Sequence, residues 1–138
     1  MTTMQNWTPV LLLAVLFALQ PVTSNAEPIG KATSVKPQAE GIHEGNMQTL
    51  SNGAEVYSSE TVRTGDSGVA DLQFHDNSNL SVGPQSTVLL DKFVYDPSKS
   101  SASIIIQATR GSFRFVTASQ GQGTYQIKTP FGTLGVRG

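Results

Sequence analysis

From Gly65 to Val82 the chain reads Gly-Asp-Ser-Gly-Val-Ala-Asp-Leu-Gln-Phe-His-Asp-Asn-Ser-Asn-Leu-Ser-Val, and this stretch restricts the fold most. Gly65, Asp66 and Gly68 write a turn, after which Ala70, Leu72 and Phe74 alternate with Asp71, Gln73 and His75. That is the period-2 pattern of a strand with one face buried. Asp76-Asn77-Ser78 reverses the chain, and Leu80 and Val82 resume the alternation until Gly83-Pro84. Turn residues that tolerate positive φ between two alternating runs predict a β-hairpin.

The segments on either side repeat the theme. Ile29, Lys31, Thr33 and Val35 predict a first strand that Pro37 ends. Residues 38–53 are rich in turn formers and predict a loop with one or two short strands. Ala54–Tyr57 and Thr61–Thr64 are short strand candidates joined by Ser58-Ser59-Glu60. Ser86–Tyr95 is β-branched and aromatic and stops at Asp96-Pro97, a turn dipeptide. Ser103–Ala108 carries three consecutive isoleucines and predicts a strand buried on both faces. Past Gly111, Phe113 and Phe115 face one way and are expected to be buried in the core, and Arg114 and Val116 face the other. Ala118–Gly123 reads as a turn, Tyr125–Thr129 as a strand, and Thr133–Arg137 as the opening of a last one. No segment after the leader keeps apolar residues at helical spacing for three turns, so the mature chain is expected to be all-β. A spacing of roughly ten residues between strands fits a meander, a sandwich or a stacked-hairpin, solenoid-like module, and does not choose among them.

The apolar run Val10–Leu19 has the length of a secretory h-region, too short for a bilayer core of ~30 Å. Small residues at Ser24 and Ala26 predict cleavage after Ala26, making residues 1–26 a signal peptide with a hydrophobic leader helix. The competing reading is an uncleaved anchor; both export the rest, and no Cys follows to carry a lipid. Residues 27–53 then form a poorly patterned N-terminal segment and 54–138 the main β domain. With 0 Cys, an exported chain depends on a packed core or a partner for its stability. All 9 Lys and Arg and all 10 Asp and Glu follow the leader, for a net charge of −1. That balance excludes nucleic acid and an anionic membrane surface as main partners, since both select a basic face, and no stable membrane insertion is expected after cleavage.

Catalytic chemistry finds little support. His75 beside Asp76 has the composition of a base and its orienter, but a hairpin turn needs polar residues there in any case. Asp76-Asn-Ser-Asn79 lacks the alternating ligands, the glycine and the distal Glu of a calcium loop. Asn79-Leu80-Ser81 is formally a glycosylation acceptor but falls in a predicted strand. No catalytic residue, cofactor site or metal site is assigned. For contact with a protein partner the candidates are Arg110, Arg114 and Arg137, each next to Gly or Phe in a strand-like segment, and Tyr57, Phe93 and Tyr95 if their rings point outward.

Thr61-Val-Arg-Thr-Gly65, Gly68-Val-Ala-Asp-Leu-Gln-Phe74, Asn79-Leu-Ser-Val-Gly-Pro84, Leu90-Asp-Lys-Phe-Val-Tyr-Asp-Pro97, Arg110-Gly-Ser-Phe-Arg-Phe-Val-Thr117 and Thr129-Pro-Phe-Gly-Thr-Leu-Gly-Val-Arg-Gly138 follow one another in this order. Together they resemble the FecR-type periplasmic domain, over about residues 54–138. The resemblance implies an all-β, solenoid-like periplasmic module. In anti-sigma regulators that module reads the signalling domain of a TonB-dependent outer-membrane transducer and relays iron-siderophore status. This chain has a leader where those regulators have a cytoplasmic anti-sigma region and membrane helix, and family members usually continue past Gly-Val-Arg-Gly with more strands. The expectation is a stand-alone exported binding or interaction module for a protein partner in the cell envelope, short at its C-terminus, with self-association through an open C-terminal edge. The alternatives are a structural envelope or surface protein assembling through open β edges, and a carbohydrate-binding module, for which the sequence offers no clustered aromatic platform.

Overall fold

The computed structural model describes residues 26–118 and 122–137, with the side chains of Gln122 and Arg137 outside the description. The predicted leader before Ala26 and the centre of the predicted 118–123 turn therefore lie outside the described residues. The rest is all-β. Its strands are β1 (Pro28–Lys36), β2 (Ala39–His43), β3 (Asn46–Thr49), β4 (Glu55–Tyr57), β5 (Glu60–Thr64), β6 (Val69–Phe74), β7 (Asn79–Val82), β8 (Thr87–Asp96), β9 (Ser101–Arg110), β10 (Phe113–Val116), β11 (Gln122–Thr129) and β12 (Gly132–Arg137).

The alternation that predicts the hairpin is the one that builds the core. Ala70, Leu72 and Phe74 of β6 and Leu80 and Val82 of β7 point inward, with Leu72 opposite Leu80 and Ala70 opposite Val82. The tight reversal is closed by the Asn77 N–H on the Phe74 carbonyl and the Phe74 N–H on the Ser78 carbonyl, both 2.9 Å, with Asn77 at φ 67°. Asn pays little for that left-handed conformation, which is why it stands at the turn. Burial of each such Leu or Phe contributes about 1.5–3 kcal/mol.

Two sheets enclose this core. One has five strands in the order β10-β7-β6-β1-β4, the other seven in the order β12-β11-β9-β8-β5-β2-β3. The chain passes repeatedly from one to the other. Along β9, β10 and β11 it makes a complete circuit, so that β11 returns parallel to β9 in the same sheet with β10 in the opposite layer. That step gives the stack its solenoid-like character.

The corners at one end are pinned by one side chain. Ser86, 1% exposed, donates through Oγ to the carbonyls of Pro84 and Ser112 and accepts the Ser112 N–H at 3.0 Å. Its own N–H donates to Thr64 Oγ1, which donates to the Gly83 carbonyl at 2.6 Å. Asp66 accepts from the Gln85 side-chain amide at 3.0 Å, and the Gly65 and Gly68 turn rests on Gln38, whose carbonyl accepts the Gly65 N–H. Gly111, at φ 92°, lies against Ser86 so closely that any Cβ there would collide with it. At the opposite end Asp96-Pro97 turns β8 into β9, with Asp96 accepting from the Ser98 N–H and hydroxyl.

Two expectations need correction. Ser103–Ala108 is not buried on both faces: Ile104, Ile106 and Ala108 are buried, while Ser103, Ile105 and Gln107 alternate with them at half exposure, because β9 is covered by the five-stranded sheet on one side only. Phe113 and Phe115 are half-buried rather than core residues, because β10 is the last strand of its sheet. They pack against the core from its rim.

Candidate interaction surface

The six residues selected for partner contact do not form one surface. Tyr57 lies on β4, at the opposite edge of its sheet from β10, where Arg114 is exposed on the outer face. Arg110 is exposed at the end of β9, beside Thr87. Arg137 pairs through its main chain with Thr124, and its side chain is outside the described residues. Only Phe93 and Tyr95 are adjacent, at 6.4 Å between ring centroids, and both rings point inward. The cause is a bulge in β8 between Leu90 and Lys92: Val88 and Leu90 point inward before it, Phe93 and Tyr95 after it. Asp91, the extra residue, accepts a hydrogen bond of 2.7 Å from Gln107 Nε2. Phe93 stacks on Phe74 at 5.8 Å and meets the edge of His75 at 6.4 Å, so its ring closes the end of the core.

His75 therefore serves as an aromatic wall. Asp76 turns away from it into the protein, 6% exposed. Its Oδ1 accepts the Ser78 N–H and hydroxyl at 3.0 and 2.5 Å, and its Oδ2 accepts the Tyr125 hydroxyl at 2.9 Å. Burial, and then the Asp76 carboxylate, push the Tyr125 phenol up to about 12. Among the described residues no group of three or more His, Asp or Glu side chains is arranged to hold a metal.

Beside Tyr57 lies a cleft of about 430 Å³, lined among others by Gly41, His43, Glu44, Glu55, Tyr57 and Glu60. The His43 ring stacks on Tyr57 at 5.2 Å, and the Tyr57 hydroxyl donates to Glu55 at 3.1 Å, which holds the phenol above its ordinary range. Glu60 was missed by sequence reasoning, which assigned it to a connection. The signal was its phase: it precedes Val62 and Thr64 at intervals of two and shares their inward face.

The two sheets end unequally on the other side. β10 pairs only with β7 and β12 only with β11 among the described residues. Leu134 and Val136 are paired with Ile127 and Tyr125, and directly paired residues of an antiparallel ladder share a face. Ile127 and Tyr125 are 4% and 3% exposed, but Leu134 is 57% exposed. The seven-stranded sheet thus projects past β10 as a ledge whose inner face is apolar, with Val136 packed against the rim of the core and Leu134 uncovered. Val116 on β10 and Phe131 at the β11–β12 turn are exposed as well. Two open strand edges beside an apolar shelf can accept an extended segment, main chain to main chain, with side chains packing on Leu134 and Val136.

The family model described as FecR protein matches residues 60–138. No curated protein and no solved structure matches the chain.

Proposed function

The chain belongs to the FecR family, and from that membership we propose that it acts as an exported, non-enzymatic interaction module that recognises a protein partner in the cell envelope. FecR is a regulatory and sensor family, so a sensor or interaction domain is what the match supports. The apolar run Val10–Leu19 supports export.

The observation that carries the reading is the exposure of Leu134 on a face that elsewhere in the same sheet is core. Leaving such a side chain in water forgoes roughly 1–2 kcal/mol of burial. A partner strand laid along β10, over the ledge, recovers it and satisfies the open edge at the same time. A second reading, self-assembly through the same edges, is favoured by Phe131, fully exposed at the tip of the projecting hairpin. The test is purification from the periplasmic fraction of cells carrying the tagged chain or its Leu134→Asp variant. A discrete companion held by the parent and lost from the variant supports partner recognition. Companions retained equally by both contradict it, and a tagged second copy of the chain in that place selects self-assembly.

A further inference from the structure

Glu60 stands at an inward position of β5, where Val62 and Thr64 continue the same face. It is 4% exposed. Gly41 makes the space, since a Cβ there would collide with Glu60 Oε1, and Oε2 accepts the Tyr57 N–H at 2.7 Å. Glu60 belongs to the cleft lining, and the Tyr57 N–H on Oε2 is its carboxylate's one hydrogen bond from a described residue. Burial pushes this carboxyl above its ordinary range, against the pull of the Tyr57 N–H and of His43. The cleft adds Glu44 and Glu55 and has no Lys or Arg in its lining. Lys31 is aligned with Glu55 across the β1–β4 ladder, outside that lining. A buried carboxylate whose only charged support is the pull of His43, with no Lys or Arg in the cleft, is costly, so a small positive charge is favoured there.

The chain itself supplies one. Ala26 and Pro28 both line the cleft, Glu27 stands between them in the chain, and cleavage after Ala26 converts its main-chain nitrogen into an ammonium. We propose that the cleft receives the chain's own processed N-terminus, the α-ammonium of Glu27 providing a counter-charge to Glu60. The inference rests on the export reading above. Before processing, the carboxylate has only the Tyr57 N–H and His43 to offset its burial and the fold is correspondingly weaker, which suits a chain that crosses a membrane unfolded. After processing, the same residue becomes a stabilising partner.

The experiment uses the chain released from a cleavable fusion so that it begins at Glu27, with isotope-labelled glutamate. NMR titration of the α-amine is expected to place its pKa about one unit or more above the ordinary 7.7–8.0, and Glu60→Gln, which keeps an acceptor for the Tyr57 N–H, is expected to return it to that range. At pH 7 the free N-terminus should melt a few degrees above the N-acetylated chain, and the gap should vanish in Glu60→Gln. An ordinary amine pKa, or the same melting gap with and without Glu60, overturns the proposal at the cleft. Should the mass of the exported protein show an N-terminus other than Glu27, the proposal falls through its premise instead, whatever the amine titration gives.

Discussion

The hydroxyl of Tyr125 donates to Oδ2 of Asp76 over 2.9 Å and 49 residues of sequence, tying β11 to the turn between β6 and β7. The bond joins the two sheets at a buried point, and Asp76 meets no described cation there, only three hydrogen-bond donors. Removing one donor to an ionised acceptor costs about 1.5–3 kcal/mol. Tyr125→Phe should lose that amount in urea denaturation while keeping the ring contact with Phe115, whose centroid is 5.1 Å away.

The same bond sets an alkaline limit. The Tyr125 phenol, near 10 when unfolded, is pushed up to about 12 in the fold, so the folded state holds its proton more tightly. Its contribution to stability is complete below pH ~10 and is lost as pH rises toward 12. A stability profile over that window should decline in the parent and flatten in Tyr125→Phe, apart from the contribution of Tyr57, which is raised in the same direction.

At the opposite end, Ser86→Ala should cost about 1–3 kcal/mol, because the part-buried Ser112 N–H loses its acceptor and the Ser112 carbonyl loses one of its donors. Gly111→Ala combines a positive φ with a collision against Ser86 and should be at least as damaging. Equilibrium urea melts of both variants provide the check, and a neutral Gly111→Ala would mean that this corner relaxes freely.

In the core, Phe74→Ala should cost about 3–5 kcal/mol, since the ring is 2% exposed. Phe113→Ala, at the rim, should cost about half of that, in proportion to the apolar area it covers. Equal losses would show that β10 is more enclosed than its edge position implies.

How much of this was legible in the sequence follows from what periodicity can report. The β6–β7 hairpin was readable because Leu72, Phe74, Leu80 and Val82 alternate without interruption and Asp76-Asn77 marks the reversal. Phe93 and Tyr95 were readable as strand residues but not in direction: one bulge residue, Asp91, inverts the alternation, and only the register against β9 reveals it. The half-burial of Phe113 and Phe115 depends on β10 being terminal in its sheet, a property of strand order, which local pattern does not encode. Glu60 escaped because a carboxylate before a strand reads as turn chemistry, although its phase with Val62 placed it inside. The ledge was partly visible, in the apolar Leu134 and Val136. Its shape required knowing that the facing sheet stops at β10.

The most direct test of the account is residue-specific photo-crosslinking in the envelope of living cells, with the reactive amino acid at Leu134 on the ledge or at Val94 on the outer face of β8. The two side chains are 57% and 53% exposed, so solvent access does not separate them, and neither substitution should change stability by more than roughly 0.5 kcal/mol, as for exposed sites in general. The account predicts one discrete adduct with another protein at Leu134 and none at Val94. No adduct at Leu134, or the same adducts at both positions, would contradict it.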